Sequence, residues 1–288
     1  MIPDTRIAVI GLGLMGGSLA RALHARGVRV LGYDRDGTQL DAAMREHVVH
    51  EALDSSLEGL ASAEVVILAL PVDATIAMLG CMTPHVRSAR LVMDVASTKR
   101  SIIVAAEAAG LGPRYVGAHP LTGSHRSGWG ASRASLFEDA RIFLCPTPST
   151  TTPTLALAES LWRELRAGVE VLDATVHDEQ MAWRSHLPHL LSSALALTLR
   201  DAGVRRSSLG PGGRDMTRLA GGSATMWGPI VSDNAAPIAE ALEACETRLR
   251  EFREALASGD TGEARRFLET AVEWFDGEPE RTLTRGRT

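Results

Sequence analysis

The amino-acid sequence predicts an α/β amino-terminal half, a doubly wound parallel sheet, followed by an all-α carboxy-terminal half. Three observations carry this expectation. Short, near-continuously apolar runs alternate with amphipathic stretches as far as residue 173; the strand-like runs then stop; and long Ala- and Leu-rich segments such as LLSSALALTL take over. Unbroken apolar runs are what strands buried on both faces require, and their alternation with helical stretches is the pattern of parallel strands joined by crossover helices.

The elements follow in order. Strand-like runs are RIAVI (6–10), VRVLGY (28–33), EVVILAL (64–70), RLVMDV (90–95), RYVGAH (114–119), RIFLC (141–145) and a last one, GVEVLD (168–173). Helical patterns lie between them at 14–27, 73–82, 99–109 and 155–167, and PTPSTTTPT (146–154) reads as a loop. One long helix is predicted over 175–203. Thr175 is its expected cap, Asp178 and Glu179 sit in its first turn where carboxylates favour the helix dipole, and Pro188 kinks it or lies near its start. Further helices are expected at 215–220, 227–257 and 261–275, with a break at Pro229 or Pro237. The expected domains are therefore 1–173 and 174–288.

Composition narrows the function classes. The chain has 288 residues, enough for two domains, and its net charge of −5 gives no global attraction to nucleic acid or anionic membrane. Aromatic residues make up 4%, too few for a base-stacking surface. No apolar run reaches membrane-spanning length, and the start, MIPDTRIAVIG, lacks a basic stretch followed by an apolar core. The three cysteines are far apart and odd in number, which suits a reducing compartment; a cytoplasmic location is the expectation. Any phosphate or carboxylate must be captured locally.

The first local signal is Gly11-x-Gly13-x-x-Gly16, directly after a predicted strand and opening a predicted helix. In that context the pattern is a Rossmann-type dinucleotide site: Gly11 for the tight turn, Gly13 for close approach of a pyrophosphate, Gly16 for helix–strand packing. The backbone of Leu12, Leu14 and Met15 completes the cradle, at a helix start that attracts phosphate, and Gly17 and Ser18 extend its small-residue surface. Asp34 ends the second strand, where a carboxylate accepts hydrogen bonds from ribose hydroxyls and repels a 2′-phosphate; this favours NAD over NADP, although Arg35 weakens the discrimination.

Ligands of such sheets bind beyond the carboxyl ends of the strands. Leu70 and Pro71 follow one strand, Asp94, Ser97 and Lys99 another, and His119 and Thr122 a third. Ser97 also reads as the cap of the helix at 99–109, and Asp94 as a structural acid. In the helical half, His186 and His189 of SHLPHLL share a helix face. A zinc pair is one alternative, but no nearby carboxylate or thiolate completes a metal set. Arg214 and Arg218, four residues apart around Asp215, form a natural carboxylate clamp.

Taken together, GLGLMGGSLA, DVASTK, GAHPLTG, SHLPH and RDMTRLA followed by MW resemble, in order and spacing, the prephenate/arogenate dehydrogenases of tyrosine biosynthesis, over residues 6 to 275. The resemblance implies an NAD-dependent oxidative decarboxylation of a cyclohexadienol, in a homodimer formed through the helical half. It implies His119 as proton acceptor for the substrate hydroxyl and Ser97 as its helper. It implies Arg218 as carboxylate clamp, His189 with Ser185 and His186 as pocket lining, and Trp227 near the pocket entrance. One departure stands out: many prephenate-using members carry a glutamate where this chain has His125, and Arg126 makes the loop more basic still. Prephenate, arogenate and an amino-substituted prephenate all stay open as substrates, with no dedicated acid for the ammonium of arogenate. β-Hydroxyacid dehydrogenases are a rival reading, but they rely on a lysine in the helical domain, and residues 174–288 contain none. A non-catalytic NAD-binding protein is a further alternative.

Overall fold

A computed structural model describes residues 5–123 and 126–277. Compactness divides the chain into two units, Met1–Ile238 and Ala239–Thr288.

The first unit is built on an eight-stranded sheet of order β3-β2-β1-β4-β5-β6-β7-β8. The strands are β1 (Arg6–Ile10), β2 (Arg29–Tyr33), β3 (Glu51–Ala52), β4 (Val65–Leu68), β5 (Leu91–Asp94), β6 (Tyr115–Pro120), β7 (Arg141–Pro146) and β8 (Gly168–Val171). The sheet departs from the all-parallel expectation at one place: β7 runs antiparallel to β6, with His119 opposite Phe143. The 121–140 connection supplies no crossover, so β7 starts at the end of the sheet where β6 stops. The two-residue β3 was too short to leave a pattern in the sequence.

The apolar runs are buried on both faces, as their composition requires. Ile7, Val9, Ile67 and Met93 face α1 (Leu14–His24) and α5 (Thr152–Glu164), where Leu19, Leu23, Leu161 and Trp162 pack. Ala8, Ile10, Leu68 and Val92 face α3 (Val72–Met82) and α4 (Arg100–Ala108), where Leu79, Met82 and Ile102 pack. The buried ring of Trp162 meets Phe137 edge-on at 5.3 Å and donates its Nε1–H to Met93 Sδ; burial of such a ring stabilises by about 3 kcal/mol. α2 (Gly37–Arg45) is capped by Asp36.

The predicted long helix exists, but with a defect. It runs as α6 (Ala174–Met181), a π-helical segment (Ala182–His186) and α7 (Leu187–Asp201). Pro188 explains the defect: it supplies no N–H, and its ring crowds the carbonyl of Arg184, so the turn before it widens. Three expectations are corrected here. Asp173, not Thr175, is the cap, accepting from the N–H groups of Thr175 and Val176. Asp178 lies beyond the first turn of α6 and is buried. The break expected at Pro229 or Pro237 lies between them: Asn234 ends α9 (Ala224–Asp233) before α10 (Ala235–Ser258) begins. Pro229 sits inside α9, and Pro237 lies in the first turn of α10, where no backbone donor is lost. α8 (Pro211–Met216) begins earlier than expected and is followed by a 3₁₀ turn at Leu219–Gly221.

In the second unit, Gly259 turns the chain with φ of +71° into α11 (Thr261–Asp276), capped by Asp260. Phe252 and Phe267 pack at 4.8 Å. Among the described residues no helix is long and apolar enough to cross a membrane.

Candidate active site

The glycine loop between β1 and α1 is shaped by close approach. Gly11 has φ of +91°, and a side chain there would strike the Ala69 carbonyl oxygen while Leu70 packs over it; a side chain at Gly16 would strike the Gly11 carbonyl oxygen. Gly13 differs, since nothing lies within 4 Å of where its Cβ would be. That open space faces the start of α1, which no side chain caps. The N–H groups of the first helical turn, beginning at Leu14 and Met15, are thus available to an anion. These features fit a pyrophosphate. Asp34 is also in place: its carboxylate accepts from Leu12 N–H at 2.6 Å and Asp36 N–H at 2.8 Å, so it braces the loop as well as ending β2. Arg35 beside it is exposed, as is Pro71.

Gly17 and Ser18, expected to widen the cradle, serve packing instead. A Cβ on Gly17 would meet Ser132 and Trp129, and Ser18 Oγ accepts from Arg133 N–H. The segment after β6 folds back onto α1 and α2: Trp129 donates to Gln39 and Glu46, and Arg21 lies over its ring at 4.2 Å.

At the end of β5, Asp94 is fully buried and holds three donors: Lys99 Nζ, Tyr115 Oη at 2.6 Å and Ala96 N–H at 2.8 Å. Lys99 is the only lysine in the chain, and it too is fully buried. Ser97 is half-buried in the loop between them. It does not cap α4. The cap position of that helix is Lys99, which makes no side-chain cap, and the first donors, Lys99 N–H and Arg100 N–H, go to Asp178 of α6 at 2.8 and 2.9 Å. Thr122 donates to the Leu136 carbonyl and so holds the loop rather than facing a ligand.

His119 lies near the end of β6 with 9% of its surface exposed. Its Nδ1 is 2.9 Å from Nε2 of His177, and His177 Nδ1 is 2.8 Å from Asp178 Oδ1. Burial pushes the His119 imidazole well below the ordinary histidine range, and His177, Lys99 and His186 push it the same way. Burial likewise lowers His177, against the opposing pull of Asp178.

Further along, His186 is buried, pushed down to about 4 chiefly by burial, and its Nδ1 is 3.1 Å from Asn234 Nδ2. His186 and His189 do share a face: both rings meet Trp227, edge-on at 5.9 Å and stacked at 3.7 Å respectively. Ser185 stands half-buried in the π segment. A cavity of about 990 Å³ is lined by Gly123, His189, Arg206, Thr217, Arg218 and Trp227, among others. Arg218 is exposed into it, whereas Arg214 reaches instead for the Ser207 carbonyl. His125 lies outside the described residues. Among the described residues, the lining of this cavity brings together His189, Trp227 and Arg218 and includes neither Ser97 nor His119.

Comparison with known proteins gives this arrangement a family. The family described as prephenate dehydrogenase, nucleotide-binding domain, matches residues 19–171, and prephenate dehydrogenase, dimerization domain, matches 173–270. The chain belongs to the prephenate dehydrogenase family. It is 32% identical to a prephenate dehydrogenase of Bacillus subtilis (95% of this chain, 76% of that protein) and 30% identical to a cyclohexadienyl dehydrogenase of Zymomonas mobilis (88% and 89%). It superposes on prephenate dehydrogenase from A. aeolicus, solved in complex with hydroxyphenyl propionate and NAD+, with a TM-score of 0.88 at 27% identity (96% and 99%).

Membership makes this a dehydrogenase-family chain with a nucleotide-binding domain. Asp178 reads in the sequence only as a helix-start acid, and His177 carries no reading there at all. A usable signal was present: Ala174, His177, Asp178 and Met181 are the buried positions of α6, spaced i, i+3, i+4, i+7. Two ionisable residues in an apolar stripe need partners in the core. Asn234 and Arg206 carried no comparable pattern.

Proposed function

We propose that this chain oxidises prephenate with NAD+, releasing carbon dioxide and giving 4-hydroxyphenylpyruvate for tyrosine biosynthesis. The observation that carries the reading is the state of His119: an imidazole at the carboxyl end of β6, buried, and held neutral at physiological pH. Such a group can take the proton of a ring hydroxyl. Bound at the glycine loop, with Asp34 toward the ribose, NAD+ would accept the hydride. As the hydroxyl becomes a carbonyl, its proton passes to His119. Loss of the ring carboxylate as carbon dioxide then sends an electron pair through the ring to that oxygen, and His119 returns the proton to the new phenol. No net proton is taken up or released. Aromatisation supplies the driving force, so the chain's task is orientation and one proton.

Ser97 is proposed to help orient the hydroxyl. Arg218 is proposed to clamp a substrate carboxylate, with His189, His186, Ser185 and Trp227 shaping the pocket. The cavity's lining offers two guanidiniums, Arg206 and Arg218, and no carboxylate among the described residues. That favours prephenate, which has two carboxylates and a keto group, over arogenate and amino-deoxyprephenate, which carry an amine. We further propose that residues 1–173 bind the coenzyme and 174–288 the substrate and a second copy, in a cytoplasmic homodimer; the three free thiols and the dimerization-domain match support this.

The test is direct. Purified protein is given NAD+ or NADP+ with each of the three substrates, and reduced nicotinamide is followed by absorbance. NADH formed fastest from prephenate supports the reading. No signal from any pair overturns it, and a signal confined to arogenate or the amino analogue reassigns the substrate.

A further inference from the structure

Nothing in the chemistry above says which nitrogen of His119 carries its proton, yet the answer decides whether the ring can act as a base. Asp178 supplies it. Its carboxylate receives the backbone N–H groups of Lys99 and Arg100, which can only donate, so it stands as an ionised acceptor. The same Oδ1 is 2.8 Å from His177 Nδ1, and an acceptor-only partner requires that nitrogen to be protonated. His177 is wholly buried, and Phe143 meets its ring edge-on at 5.6 Å. In a neutral ring with a proton on Nδ1, Nε2 carries a lone pair. That lone pair faces His119 Nδ1 at 2.9 Å. His119 Nδ1 must therefore be the donor, which leaves its Nε2 bare.

We propose that His177 is a positioning residue that, with Asp178, locks His119 in the tautomer whose Nε2 is free to accept the substrate's hydroxyl proton. The chain runs from a helix cap to a catalytic ring. One carboxylate both closes the start of α4, next to the Ser97 loop, and sets the hydrogen-bond polarity through His177 to His119. When His119 takes up its proton, its Nδ1–H remains pointed at His177, and the charge is stabilised along the same chain. The charged and titratable groups facing the two rings are Asp178, Lys99, Asp94 and His186. The catalytic part of this inference rests on the proposed role of His119; the tautomer does not.

The first measurement needs no substrate. In histidine-labelled protein near neutral pH, nitrogen NMR should show the His119 signal, identified by its loss in His119→Asn, as protonated on Nδ1 and bare on Nε2. A proton on Nε2, or on both nitrogens, overturns the proposal. The second measurement uses His177→Phe, which keeps ring volume and removes the acceptor. Its kcat should fall at least roughly tenfold with KM values nearly unchanged, and its His119 signal should shift toward the other tautomer. His177→Gln, whose Oε1 can replace the lost acceptor, should restore most of the rate and the original tautomer. Full activity and an unchanged His119 signal in folded His177→Phe would sink the lock. If His177→Phe does not fold, the wild-type tautomer and the Gln variant still decide. A wild-type protein inactive on all three substrates would instead refute the function while leaving the tautomer to be read on its own.

Discussion

At His119, burial and charged neighbours together shift an ordinary imidazole toward the neutral form a base needs. Its imidazole is depressed first by desolvation and then by its neighbours, so it stays unprotonated below the usual histidine range. A base works in its neutral form, so activity is lost only when pH falls through that lowered value. The kcat profile should accordingly stay flat from about pH 8 to about pH 6; an acid limb at or above about 6.5 would contradict the assignment. His119→Asn should lower kcat by roughly two to four orders of magnitude while leaving NAD+ affinity, measured by calorimetry, nearly intact. Arg218→Ala should act differently, raising KM for the substrate with a smaller effect on kcat, because a clamp on a carboxylate holds ground state and transition state alike. An unchanged KM would move the clamp to Arg206. His119 was legible in the sequence because a glycine-flanked His-Pro sits at a strand end. Its partner His177 was not, since a histidine's hydrogen bond to a residue 58 positions away leaves no local mark.

At the scale of elements, the glycine loop separates two kinds of small residue that a sequence pattern treats alike. Gly16 is small because the chain crosses itself there; Gly13 is small beside open space. Gly16→Ala should therefore fail to fold or melt far below wild type. Gly13→Ala should melt close to wild type yet bind NAD+ at least roughly tenfold more weakly, because its methyl group projects where the pyrophosphate would approach. Thermal melts and coenzyme titration on the two variants test this, and equal affinities for wild type and Gly13→Ala would count against the cradle. The strands and most helices could be read in advance because both-face burial and helical periodicity are written in neighbouring residues. Some sites that misled were decided by distant residues: Ser97 does not cap α4 because Asp178 already does. The long helix yields at Pro188 but continues through a π-helical turn. The chain ends α9 at Asn234 rather than at a proline, and there the side chain donates to the Asp178 carbonyl.

For the molecule as a whole, the exposed apolar surface of Ala239–Thr288 is hard to reconcile with a monomer. Leu249 and Leu256 lie seven residues apart on α10, and Leu268, Val272 and Phe275 follow i, i+4, i+7 spacing on α11, so each set forms a stripe. All five are more than half exposed, and Trp274 is 73% exposed. A unit of this size buries too little on its own to be comfortable, and fully burying each large apolar side chain would contribute about 1.5–3 kcal/mol. Stripes of this kind are what a second copy of the chain would cover, as the dimerization-domain match of residues 173–270 leads one to expect. Sedimentation at micromolar concentration should therefore show a dimer. Leu268→Glu combined with Val272→Glu, which sets charges in the α11 stripe, should shift it to monomer. Coenzyme affinity in that variant should survive, since the glycine loop belongs to Met1–Ile238. A wild-type monomer, or a dimer indifferent to both charges, would mean that these stripes serve some other surface.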